Sequence, residues 1–178
     1  MATALLIIDM QRALCTGEEA AFGIDGVLQR INAISTQARA AGVPVVLIQH
    51  EEGEGSLVHG TEGWQLADGL LVDPADLRVR KTRPDSFHGT NLQDLLQERG
   101  VDQLVVCGLQ SDFCINASVR RALALGYPVT LVADAHSTIA NGGRSAADIS
   151  AEHNRTLAAM AGPGAHIAVK PAAAVSLR

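Results

Sequence analysis

The stretch DQLVVCGLQSDFCINASVRRALALGYPVTLVAD, residues 102–134, decides the fold. Its first part, 102–108, is apolar and β-branched throughout, without the alternation of a strand wetted on one face; strands covered on both faces read this way. After Cys114 the segment INASVRRALALG (115–126) carries apolar positions at helical spacing and closes on Gly126. A second apolar run, YPVTLVAD (127–134), follows at once. Strand, helix and strand in such quick succession make a parallel pair joined by a crossover.

Moving outward, ALLII (4–8), VPVVLIQ (43–49) and HIAVK (166–170) repeat the strand pattern, and RVRK (78–81) forms a shorter, more polar strand. Helical spacing returns in 26–42, where Val27, Ile31 and Ile34 share a face and Gly42 and Pro44 end the run. It returns again in 89–100, with Leu92, Leu95 and Leu96 on one face before Gly100, and in 143–161. Strand and helix therefore alternate along the chain, which predicts a three-layer α-β-α, doubly wound, mainly parallel, Rossmann-like sheet in a single domain over 1–178. The least regular stretch, 51–69, is long enough to serve as a functional loop or partial lid.

Composition narrows the partners. Of 178 residues, 47% are hydrophobic and 19% charged, too apolar a mix for disorder. A formal net charge of −5 repels nucleic-acid backbones and anionic lipid heads, so neither nucleic acid nor membrane is expected as a partner. Cys15, Cys107 and Cys114 have neither CxxC spacing nor the density of a disulfide scaffold, which suits a reducing cytoplasm. The opening MATALLIIDMQRA lacks a basic n-region and meets Asp9 early, so it predicts neither a signal peptide nor a membrane span.

In a doubly wound sheet, ligands sit beyond the carboxyl ends of the strands. Asp9 ends the first strand, Lys81 ends RVRK, Cys114 follows the third long strand and Asp134 ends the fourth. Each alone fits an ordinary role, as a turn cap, a solvated amine or an inert core thiol. Together they offer a site for covalent acyl transfer. Cys114 at a helix start, beside an ammonium, is expected to be held as a thiolate. Asp9 can shuttle its proton, Lys81 can orient both, and backbone N–H groups can cradle an oxyanion.

The segments LLIIDMQ, KTRPDSF and VVCGLQSDFCINASVRRALALGYPVTLVADA, in that order, resemble the three signature regions of the isochorismatase-like cysteine hydrolases. The resemblance implies an Asp-Lys-Cys triad of Asp9, Lys81 and Cys114, and an oxyanion hole from the backbone N–H groups of Gln110 and Cys114. It also implies a non-proline cis peptide joining Leu109 to Gln110. The lysine segment departs from the family, which often has Ser-Ala-Phe where this chain has Asp85, Ser86 and Phe87. Relatives with the cysteine hydrolyse amide, carbamoyl or ureido C–N bonds through a thioester; isochorismatases cleave an enol ether. The family is commonly oligomeric, which implies a homo-oligomer acting on a small-molecule substrate.

Nicotinamidases of the same kind place Asp-x-His beyond the second strand, where this chain reads Gln49, His50, Glu51 and Glu52. His50, Glu52 and His59 could supply nitrogen and oxygen ligands, but no metal and no cofactor is assigned. Trp64 and Phe87 could wall a flat substrate, or plug loops against the sheet. Phe22 and Phe113 are weaker wall residues; His136 and Ser137 could line the pocket, cap the following segment or simply pack. G-x-G-x-x-G, G-x-x-x-x-G-K-[ST], G-x-S-x-G and H-E-x-x-H motifs are all missing, which disfavours dinucleotide, nucleoside triphosphate, serine-hydrolase and zincin readings. The alternatives to a C–N hydrolase are an enol-ether hydrolase and a non-enzymatic binding or assembly module.

Overall fold

A computed structural model describes residues 1–177. Seven strands form one sheet: β1 (Thr3–Ile8), β2 (Val45–His50), β3 (Leu77–Lys81), β4 (Gln103–Leu109), β5 (Val129–Ser137), β6 (Ala161–Gly162) and β7 (Ala165–Lys170). Their order is β3-β2-β1-β4-β5-β7-β6, parallel except for the short β6, which runs antiparallel to β7. Five helices accompany them, α1 (Arg12–Cys15), α2 (Ile24–Ala40), α3 (Leu92–Glu98), α4 (Asn116–Ala124) and α5 (Ala146–Ala158). A π-helical turn, Ser111–Ile115, precedes α4, and a 3-10 turn spans Ala172–Ala174. No described helix is long and apolar enough to cross a membrane.

The pleat explains why β1 and β4 are apolar at every position after the first. Ala4, Leu6 and Ile8 face one core, with Leu92 and Leu96 of α3 and Val119 and Leu123 of α4. Leu5 and Ile7 face a second, with Val27, Ile31, Ile34 and Ala38 of α2. Successive strand residues point to opposite faces, so a sheet covered on both sides needs no polar position. The expected helices are present, α3, α4 and α5 trimmed at both ends and α2 shifted two residues toward the N-terminus. At the start of α5, Ser145 Oγ accepts from the Asp148 N–H at 3.1 Å, the cap that sets where the helix begins.

Two features were not legible in the hydrophobic pattern. β5 runs on past Asp134 to Ser137, and its register against β4 jumps: Leu131 lies opposite Val106, but His136 lies opposite Gly108. Asp134 itself is structural, paired with Arg30 at 3.2 Å and accepting the Ala172 N–H at 2.7 Å. β3 is an edge strand whose Arg78 and Arg80 are exposed while Val79 and Lys81 are buried. The chain runs outward from β1 to β3 and returns to β4 beside β1, so the switch point lies between β1 and β4.

At that point the backbones come close. Gly108 has φ +118°, and a Cβ there would collide with the Ile8 carbonyl oxygen. Gly108→Ala is expected to lower the free energy of unfolding by about 3 kcal/mol or more, because strain and overpacking act together on the central strand pair. Urea denaturation followed by circular dichroism measures the loss; a variant as stable as the parent would contradict the close approach.

Candidate active site

The carboxyl ends of β1, β3 and β4 each deliver one side chain to a common point. Asp9 follows β1 with φ +52°, a left-handed conformation that aspartate tolerates better than most residues, and its N–H donates to Ile48 O at 2.9 Å. Lys81 ends β3 in register with His50 of β2. To reach Asp9 its side chain crosses the end of β2, and neighbouring strands lie about 4.8 Å apart, so a long flexible side chain is required. Cys114 sits in the π turn after β4, four residues beyond the Leu109–Gln110 peptide, which is cis.

Lys81 Nζ is the centre of the cluster. It donates to Asp9 Oδ2 at 3.0 Å, Arg83 O at 3.0 Å and Cys114 Sγ at 3.2 Å, and meets His50 Nδ1 at 3.2 Å. Its side chain is 0% exposed and that of Asp9 2%, so the ion pair is screened from water. The ammonium offers only protons, so the imidazole nitrogen facing it is the lone-pair nitrogen. The remaining ring proton is then on Nε2, 3.4 Å from Glu52 Oε1. Asp9 Oδ1 is buried without a hydrogen-bond partner among the described residues, which leaves one carboxylate oxygen open to accept a proton.

The charge state of the sulfur corrects the expectation of a resting thiolate. Burial, reinforced by the Asp9 carboxylate, pushes the Cys114 thiol up to about 12, while Lys81 pulls the other way. Cys114 also lies within the π turn rather than at a free helix N-terminus. The resting group at neutral pH is therefore a thiol beside a carboxylate, and ionisation is coupled to proton transfer. Cys15 and Cys107 are buried core residues whose thiols are raised by burial alone.

A cavity of about 260 Å³ opens beside the sulfur. Leu14, Leu57, Pro84 and Phe113 form its apolar walls, Gln110 and Cys114 its floor, and Glu52 and His50 one side. The structure thus brings Asp9, Lys81, Cys114 and Gln110 together, and places Trp64 and Phe87 elsewhere. Trp64 stands edge-on to His59, ring centroids 4.5 Å apart, in a separate hollow with Arg12 and Arg78. Its carbonyl accepts from Gln11 Nε2 and Gln49 Nε2, each at 3.0 Å, so it plugs the 51–69 loop against the sheet. Phe87 is buried in the core with Leu92 and Tyr127, its ring stacked on Tyr127 at 6.2 Å. Phe113, 51% exposed, takes the wall position instead. Sequence reasoning missed Leu14, Leu57 and Pro84, which are unremarkable apolar residues until the loops are folded.

Of the three candidate metal ligands, only His50 faces the triad. Asp9, His50 and Cys114 present donor atoms within 4.8 Å of one another. Lys81 Nζ, however, sits 3.0–3.2 Å from all three and already fills the place of a cation. The donor set does not fit a metal while that ammonium is present.

His136 neither lines the cavity nor caps a helix; it supports the nucleophile's turn. Ser111 Oγ lies 2.7 Å from His136 Nδ1 and 2.9 Å from Ser150 Oγ, and His136 Nε2 lies 2.7 Å from Asn154 Oδ1. The last contact requires the proton on Nε2, so Ser111 donates to Nδ1. Thr138 Oγ1 adds a bond to Asp112 Oδ1 at 2.6 Å.

Two outcomes are expected. Lys81→Met leaves a buried carboxylate unpaired and costs about 3–5 kcal/mol of stability, and adding Asp9→Asn recovers much of that loss; independent, additive effects in urea melts would contradict the coupling. Alkylation of Cys114 by iodoacetamide, read by mass spectrometry, precedes that of Cys15 and Cys107. Its rate climbs about tenfold per pH unit from 7 to beyond 9, because the reactive thiolate is scarce below the raised pKa. A plateau near neutrality would show a resting thiolate.

A family model described as the isochorismatase domain matches residues 3–167. A streptothricin hydrolase of Streptomyces noursei is 41% identical over 136 residues, covering 76% of this chain and 54% of its own length. The chain thus spans about half the length of that relative. The ureidoacrylate amidohydrolase RutB of Agrobacterium fabrum is 30% identical over 170 residues, 75% of either protein. A crystal structure of an isochorismatase family protein superposes with a TM-score of 0.87 at 33% identity, covering 94% of this chain and 96% of the other. With a matching domain model, related sequences and the same fold, the chain belongs to the isochorismatase family.

Proposed function

We propose that the protein is a cysteine hydrolase that opens the C–N bond of a small amide, carbamoyl or ureido compound through a thioester. The observation that carries this reading is one buried ammonium, Lys81 Nζ, within 3.2 Å of both a carboxylate and a thiol that border a cavity. Relatives named as an amidohydrolase and a streptothricin hydrolase support it. A thiol nucleophile distinguishes this chemistry from enol-ether cleavage, which needs no covalent bond to sulfur.

The substrate carbonyl enters beside Cys114, and Asp9 takes the thiol proton as sulfur attacks carbon. Lys81 holds the carboxylate and the developing thiolate at fixed distances and keeps the paired charge balanced during the transfer. Backbone N–H groups of Gln110 and Cys114 stabilise the oxyanion of the tetrahedral intermediate. Collapse breaks the C–N bond, and Asp9 returns its proton to the departing nitrogen, leaving a thioester and ammonia or an amine. Asp9 then removes a proton from water as its oxygen attacks the thioester. The acid leaves and Cys114 regains its proton.

Cys114→Ala is expected to abolish ammonia release across a panel of small amides and ureas, and Asp9→Asn to lower it by roughly 10³-fold. Rapid acid quench of the parent with a turned-over substrate should reveal the acyl mass on the peptide containing Cys114. A fully active Cys114→Ala would remove thiol catalysis.

A further inference from the structure

We infer that the cavity selects substrates whose group remote from the scissile carbonyl is cationic, and that Glu52 reads that charge. This deepens the proposed function and rests on it for the identity of the reacting carbonyl. The starting observation is a contrast between two adjacent glutamates at the end of β2. Glu51 is neutralised by Arg80, which donates to its two carboxylate oxygens at 2.8 and 3.0 Å. Glu52 borders the cavity with its side chain 53% exposed, and its only charged-group contact among the described residues is His50 Nε2 at 3.4 Å.

That imidazole does not cancel the charge. Lys81 meets His50 Nδ1 with an ammonium, so the ring offers Glu52 a neutral N–H rather than a cation. Lys81 itself shares its three protons among Asp9, Arg83 O, Cys114 and His50, and its charge is balanced by Asp9. No arginine lines the cavity. Arg80 is held by Glu51, and Arg12 by Asp68 at 2.8 Å. Among the described lining residues, one uncompensated carboxylate therefore faces the ligand, and none of them is an arginine or a lysine.

The walls make the charge matter. Leu14, Leu57, Pro84 and Phe113 offer no polar atom to a ligand's remote end, so an ionic group entering between them meets Glu52 as its one charged partner. A cation there gains an ion pair; an anion gains repulsion and loses water without a replacement. Because Glu52 is half in solvent, the gain is that of an exposed pair, about two- to fivefold in affinity, and it fades with salt.

Protection of Cys114 from iodoacetamide measures binding without requiring turnover. The probes are γ-aminobutyramide, valeramide and succinamate, which share an amide and differ in the charge of the far end. γ-Aminobutyramide should halve the alkylation rate at about two- to fivefold lower concentration than valeramide, and succinamate should need more than either. Glu52→Gln should collapse the ratio between the first two, Glu52→Lys should reverse the order, and high salt should shrink it. Equal protection by all three, or better protection by succinamate, overturns the inference. Ammonia release from the same mixtures separates the two claims. The expected protection order with no hydrolysis of any amide supports the charge selection and counts against the hydrolase reading. Hydrolysis with no charge preference does the reverse.

Discussion

One buried ammonium organises this molecule. Lys81 extends from the outermost strand across the end of β2, and at its tip it meets groups that follow β1 and β4. The Asp9 carboxylate could not be kept dry at this position without it, since an isolated buried charge is too costly. The same atom determines which nitrogen of His50 carries the proton, and it fills the space that a metal would need. A change at the sheet's edge is thus felt at its middle, through a single side chain.

Much of this was legible in the chain. The strands declared themselves because a sheet covered on both faces requires continuous apolar runs, and Asp9, Lys81 and Cys114 stood out because each lies at or just beyond the carboxyl end of a strand, where ligands of such a sheet sit. Other features depend on partners distant in sequence. Residue type left Trp64 and Phe87 open as substrate walls or as plugs, and the fold decides: the carbonyl of one is held by Gln11 and Gln49 and the ring of the other lies against Tyr127. The thiol's ionisation could not be read from helix position, because the desolvation that dominates it comes from the folded surroundings rather than from neighbours along the chain. The register jump in β5 leaves no mark in hydropathy at all.

That jump has a structural purpose. By shifting the register three residues between Leu131 and His136, the strand sets His136 beside the turn that carries Cys114. Ser111, Ser150 and Asn154 complete a closed set of donors and acceptors around the ring. Because every partner is used, the turn has a single favoured arrangement, and the cavity floor inherits it. The opposite wall is built differently, from the loop between β2 and β3, tied down by Gln11, which binds the backbone at both His50 and Trp64. One side is locked by side-chain chemistry and the other by main-chain anchors.

The rim of the sheet has its own consequence. On the β3 side, Arg78 and Arg80 stand out into solvent on the last strand, and on the far side the sheet stops at a two-residue segment running against its neighbours. An unpaired strand invites another chain to dock along it and grow a ladder without end, and positive charge or brevity makes such docking unfavourable. Both flanks therefore carry features that oppose open-ended polymerisation, a charged face on one and brevity on the other.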